Sequence, residues 1–117
     1  MAELVFREWP LYFAHFGTAE AGYLDTLKTE TINADALKLF NDEIFTAFDM
    51  RSRLPAIMCP TLVITGEEDF ICGPVCAEDV CAGIPGARQV IVGDSGHMTF
   101  VEQPQAFHDE VADFLEG

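Results

Sequence analysis

The sequence predicts an α/β fold with few parallel strands flanked by helices, preceded by a helical segment. Two short runs, TLVIT at 61–65 and RQVIV at Arg88–Val92, are apolar and rich in β-branched residues. That composition suits strands buried on both faces, as in parallel sheets. Between them Pro74 can open a helix, and VCAEDVCAGI carries helical spacing at Val75, Val80 and Ile84 before Pro85-Gly86 stops it. Strand, crossover helix, strand is a βαβ unit, which is right-handed and sets its two strands parallel. The third observation is a first stretch of about fifty residues with helical patterning and no strand signal. The chain therefore divides into a helical segment, 1–50, and an α/β segment, 51–117.

In the helical segment, residues 3–16 are crowded with large apolar side chains, Trp9, Leu11, Tyr12, Phe13 and Phe16 among them. Pro10 fits the first turn of a helix, which is expected to run to about Phe16 and end at Gly17. Residues 20–30 read as a short, weakly patterned helix. Asn33 is an N-cap for a stronger one, in which Leu37, Phe40, Ile44 and Phe48 recur at three- and four-residue spacing and should form an aromatic inner side. FDMRSRLPAIMCP is a connector bracketed by Pro55 and Pro60. Pro104 opens a closing helix with an apolar stripe at Phe107, Val111, Phe114 and Leu115.

Twenty acidic residues against 6 basic give a net charge of −14 over 117 residues. Such a surface repels nucleic-acid backbones and anionic membranes, so neither is an expected partner. No apolar run reaches membrane-spanning length, and MAELVFREWP lacks the basic-then-apolar order of a signal peptide. A cytoplasmic protein is expected. Of the four cysteines, Cys59, Cys72, Cys76 and Cys81, the pair Cys72 and Cys76 falls on one face of the crossover helix. With a distant histidine they offer a zinc reading, but the spacing is not a Cys-x-x-Cys pair, and reduced thiols acting as small core residues explain them better. No metal or cofactor is expected.

The chemistry lies at the carboxyl ends of the two strands. Asp69 follows the first and His97 the second, and a parallel βαβ unit brings both loops to the edge where open α/β sheets place their sites. A carboxylate beside an imidazole fixes its tautomer and stabilises the imidazolium, making His97 a general base and then a general acid. Gly96 permits a tight backbone path into that loop. Glu68 is the alternative acid if the register is shifted by one. Cys72, at the same edge, would be a nucleophile in a Cys–His pair. Ser95 is too near His97 in the same loop for an in-line attack and reads as a turn hydroxyl bonding nearby backbone. His15 reads as a cap or pocket residue among aromatics rather than a catalyst, and His108 as surface.

CPTLVITGEED, then GARQVIVGDSGHMTFVEQP, then a closing helix resemble the C-terminal portion of an α/β-hydrolase, closest to the proline iminopeptidase-like group. EWPLYFAHF and FDMRSRLPAIMCPTL are similar to that group's cap and cap-to-core connector. The resemblance implies that 1–50 is a helical cap-like segment over a substrate pocket, that 51–117 is the C-terminal part of the core, and that Asp69 and His97 are the triad acid and base. It implies a serine hydrolase acting on a small ester or an amide or short-peptide substrate. The family's nucleophile elbow, Gly-x-Ser-x-Gly, does not occur in this sequence, nor do the earlier strands or an oxyanion-hole loop. By itself the chain is expected to be inactive. Two strands make a marginal sheet, so a homodimer or association with a missing N-terminal half is expected. The alternative is a non-catalytic, self-associating remnant that binds a small apolar ligand.

Overall fold

The computed structural model describes residues 7–28 and 33–117. The expected reading of residues 3–6 and 29–32 lies outside them. In chain order the elements are a 3-10 turn at Trp9–Tyr12, helix α1 at Thr18–Leu27, helix α2 at Ala34–Leu39 running into a π turn at Phe40–Ile44, and a 3-10 stretch at Arg51–Ala56. The α/β part follows: β1 at Leu62–Gly66, α3 at Pro74–Gly83, β2 at Arg88–Val92, the short α4 at Thr99–Glu102, and α5 at Pro104–Glu116.

The two strands pair in parallel, Leu62 opposite Arg88 through to Gly66 opposite Val92, so both end at one edge. Helices α3 and α5 pack against both strands. Ala77 and Ile84 on the crossover and Val92 at the end of β2 are buried, and Leu24 of α1 and Phe13 join them in the core. Leu54 lies against Gly83, where a Cβ would come within 2.6 Å of its Cδ1. Tyr23 of α1 meets Phe100 of α4 edge-on at 5.6 Å, and Phe100 meets Phe107 of α5 at 6.2 Å. This aromatic chain ties the helical segment to the closing helix.

Several expectations are corrected. The aromatic N-terminal helix stops at Tyr12 and Phe13 is extended. The reason is tertiary: the Tyr12 carbonyl accepts from the His97 amide at 2.7 Å, and the Ala14 amide donates to Glu102 at 2.6 Å, so neither group is left for a helical bond. The inner face expected of α2 is exposed: Leu37, Phe40, Ile44 and Phe48 all face outward, and every residue from 33 to 50 is exposed. β2 is not buried on both faces, since Arg88 is exposed and Ile91 half exposed, whereas no residue of β1 is exposed. Val75 and Leu115 point away from the core despite their helical spacing. Cys72 precedes α3, and Cys59, Cys72 and Cys76 are exposed, so they are not core thiols. No helix of the described residues is long and apolar enough to cross a membrane.

Candidate active site

β1 ends at Gly66, where a side chain has no room: a Cβ would lie 2.1 Å from the Gly96 carbonyl oxygen and 2.3 Å from that of Ser95. The loop after β1 is therefore pressed against the loop after β2. Two backbone bonds seal the contact, Glu67 N–H to the Val92 carbonyl at 2.9 Å and Glu68 N–H to the Ser95 carbonyl at 3.0 Å. The chain then turns at Asp69. The Asp69 carboxylate oxygen Oδ1 accepts from the amides of Ile71 (2.8 Å) and Cys72 (3.0 Å), which closes the turn into α3. Gly73 is required behind it, since a Cβ would sit 2.2 Å from the Asp69 carbonyl oxygen. Thr65 is buried and its hydroxyl donates to the Cys72 carbonyl at 3.0 Å, pinning the far side of the same turn.

With Oδ1 occupied, Oδ2 is left for His97, and the Nδ1 of His97 lies 3.0 Å away. The Asp69 side chain is 6% exposed and that of His97 31%. Burial is the largest single influence on the Asp69 carboxyl and raises its pKa. The Cys72 amide, the His97 ring and the Ile71 amide act against burial and together hold it below the ordinary carboxylate value. An ionised Asp69 can accept at Oδ2 from Nδ1 of His97, an arrangement that would leave Nε2 free to take a proton. Glu68, the alternative acid, is exposed and does not make this contact.

The other candidates are resolved by position. Ser95 is fully buried, and its hydroxyl donates to the Val92 carbonyl at 3.0 Å, the turn role expected of it. Asp94 takes a positive φ of 50° at this turn, a conformation aspartate tolerates. Although Cys72 is exposed overall, partial desolvation of its thiol is the first cause that pushes its pKa up, followed by the nearby Asp69 charge and Cys76. A raised pKa keeps it in the thiol form, which is the wrong direction for a nucleophile. His108 lies on the exposed side of α5, as expected. His15 is exposed, and its ring lies with the Glu68 and Asp94 carboxylates, their ligand atoms within 4.8 Å of one another. All three are exposed, and such groups converge commonly without holding an ion.

Two residues that the sequence did not assign to the site frame the pair. The Tyr12 ring stands edge-on to His97 at 5.6 Å and to Phe70 at 6.0 Å, with Trp9 beyond it at 4.9 Å. The sequence marked Trp9 and Tyr12 only as part of a crowded apolar stretch, and did not assign them to the histidine. Glu102 places one carboxylate oxygen on the Gly96 amide (2.8 Å) and the other on the amides of Ala14 (2.6 Å) and His15 (3.3 Å). Its only sequence signal is a carboxylate a short turn beyond Gly96-His97, which carries no information about partners far back in the chain.

A family profile described as TAP-like protein matches residues 49–117. A 2-hydroxy-6-oxononadienedioate/2-hydroxy-6-oxononatrienedioate hydrolase of Cupriavidus pinatubonensis is 40% identical over 75 residues, covering 64% of this chain and 25% of the relative. A proline iminopeptidase of Levilactobacillus brevis is 32% identical over 76 residues, covering 56% and 25%. Among solved structures, the enol-lactonase of Burkholderia xenovorans LB400 superimposes over 100% of this chain and 45% of its own, with a TM-score of 0.77 and 30% identity. The chain spans 26% or less of the length of the first curated relatives it matches, and as little as 3%. The curated relatives range from hydrolases and a peptidase to a bromoperoxidase and a polyketide synthase, and they do not single out an iminopeptidase. The parallel strands with their flanking helices, and a profile match over more than half of the chain, lead to one conclusion: this chain belongs to the TAP-like family of the α/β-hydrolase superfamily.

Proposed function

We propose that the chain carries the acid and base of a serine-hydrolase triad acting on a small ester or on an amide or short peptide, with the nucleophilic serine on polypeptide outside these 117 residues. The observation that carries this reading is the Asp69–His97 pair: Nδ1 of His97 at 3.0 Å from Oδ2 of Asp69, the other carboxylate oxygen already held by two amides. In that reaction the serine hydroxyl attacks the carbonyl carbon and gives its proton to Nε2 of His97. The imidazolium, stabilised by Asp69, protonates the departing alcohol or amine. Water then attacks the acyl-enzyme, again losing its proton to Nε2, and the serine leaves with that proton. The aromatic group Trp9, Tyr12 and Phe70 beside His97 supplies an apolar wall for the substrate. Four free thiols support a reducing, cytoplasmic setting.

The test is complementation. The chain alone should show no turnover of a nitrophenyl ester or an aminoacyl nitroanilide. Mixed or co-expressed with the N-terminal portion of a related hydrolase carrying Gly-x-Ser-x-Gly, it should turn over, and His97→Ala should remove activity by about 10³-fold or more. Full activity in His97→Ala would overturn the assignment.

A second reading has its own observation. An open cleft of about 350 Å³ is lined by Phe48, Asp49, Met50, Arg51, Leu54 and Val80, beside the exposed apolar residues of α2. That favours a self-associating, non-catalytic module binding a small apolar ligand. A stable dimer with saturable binding of an apolar dye, and no gain of activity on complementation, would select it.

A further inference from the structure

The loop carrying His97 is not held by its own strand alone. The peptide N–H of Gly96, immediately before the histidine, donates to Oε2 of Glu102, and the N–H of His97 itself donates to the Tyr12 carbonyl at 2.7 Å. The other oxygen of Glu102 takes the amides of Ala14 and His15. The aromatic segment 12–15 and the histidine loop are thus laced together across more than eighty residues of sequence, with one carboxylate taking three of the four N–H groups involved. The two backbones approach so closely that a Cβ on Gly96 would lie 2.6 Å from the Tyr12 carbonyl oxygen and 2.8 Å from the Ala14 nitrogen. Among the described residues neither segment has a regular-structure partner for these groups: Phe13 is extended without a strand beside it, and residues 93–98 belong to no helix or strand. The buried Thr99 hydroxyl, donating to the Gly96 carbonyl at 3.3 Å, makes the contact continuous with the short helix α4 that presents Glu102.

We infer that Glu102 is a positioning residue for His97: by clamping Gly96 to Ala14 and His15 it sets the imidazole against Asp69 and keeps the Tyr12 ring edge-on to it. The inference rests on the reading of Asp69–His97 as a working pair, and extends it to the residue that holds the pair in register. It also makes the aromatic segment and the histidine one mechanical unit, so a displacement of residues 12–15 is passed to the base. Acceptors are what the site needs. Three N–H donors converge on Glu102, and a glutamine there can present only one oxygen. Its other terminal group is an NH₂, which faces a donor whichever way the amide is turned.

The experiment reads the tautomer of His97 by long-range proton–nitrogen correlation in the 117-residue chain, with thermal melts run beside it. The wild type should show the Nδ1-protonated form and a low-field Nδ1 proton shared with Asp69. Glu102→Gln should lose the low-field signal and mix the two tautomers while the chain remains folded. Glu102→Ala should do so more completely, and if it fails to fold the glutamine variant decides. An Nδ1 signature unchanged in Glu102→Gln, with or without a fall in melting temperature, overturns the inference and reduces Glu102 to a structural tie. Asp69→Asn is the control: loss of the signature there but not in Glu102→Gln defeats only the positioning role. Persistence of the signature in Asp69→Asn defeats the pair itself.

Discussion

Residues 57–117 and residues 33–50 use similar apolar patterns and meet different fates. In the first, the pattern closes on itself: β1 and β2 pair along their full length, and Ile84 and Val92 are 5% and 6% exposed. In the second, Phe45 and Phe48 are 66% and 62% exposed, and α2 and its π turn pack extensively against no other described element. The helix itself is well specified. Asn33 caps it, its side chain accepting from the Ala36 amide at 3.0 Å, and Lys38 pairs with Asp42 one turn on. The difference teaches that local signals are enough to wind a helix, while burial of its face depends on a surface elsewhere. The βαβ unit carries both halves of its own interface, and α2 carries one.

The sharpest way to break this comparison is through two glycines. Gly66→Ala forces a methyl to within 2.1 Å of the Gly96 carbonyl oxygen, in a contact bounded by backbone on both sides. It should cost about 3 kcal/mol, at the upper end of ordinary overpacking, and should separate the loops that carry Asp69 and His97. Gly22→Ala lies in the interior of α1 with nothing within 4 Å of the new methyl. It should stabilise by about 0.5–1 kcal/mol, because alanine loses less backbone freedom. Urea melts of the two variants check both signs. Equal effects would mean that the loop contact is slack.

The strands, the crossover, the closing helix and the meeting of Asp69 with His97 were legible in the sequence because each is encoded nearby. TLVIT and RQVIV are β-branched runs, Pro74 and Pro104 mark the first turns of α3 and α5, and Asp69 and His97 follow their strands directly. The extended path of Phe13 was not legible. Pro10 and the aromatics around it favour a helix by propensity, and only Glu102 and the His97 amide, far along the chain, override it. The outward Val75 was hidden for a related reason. Helical spacing fixes which residues share a face but not which face turns to the sheet. The identity of Asp69 over Glu68 is decided by turn closure: only the residue whose oxygen caps the Ile71 and Cys72 amides has its other oxygen aimed at His97.

An acid titration sharpens the comparison at intermediate effect. The Asp69 carboxyl is held below its ordinary value in the folded chain: burial raises it, and the Cys72 amide, His97 and the Ile71 amide more than offset burial. A depressed folded pKa means the carboxylate contributes stability above the unfolded value, about pH 4, and loses it as the pH falls through the lower, folded value. Asp69→Asn removes that contribution at all pH. The stability gap between wild type and Asp69→Asn should therefore be widest near neutrality and shrink below about pH 4. A gap independent of pH would mean that the aspartate contributes only shape.

The smallest effect on stability should come from the most apolar side chains. Phe45→Ser with Phe48→Ser exchanges two large rings for hydroxyls at positions more than three-fifths exposed. If the exposed apolar residues of 33–50 form a docking surface rather than a core face, the unfolding free energy of the isolated chain should move by no more than about 0.5 kcal/mol per site, the range of ordinary surface substitutions. The change should appear in association instead: light scattering should show a lower apparent mass for the double variant at the same concentration, since two apolar anchors have left the surface. A loss of stability comparable to that of Gly66→Ala would place these rings in a packed interior and erase the contrast between the two regions. Unchanged mass with unchanged stability would move any contact between copies to the open edges of β1 and β2, where unpaired strand groups offer the next surface for a second chain.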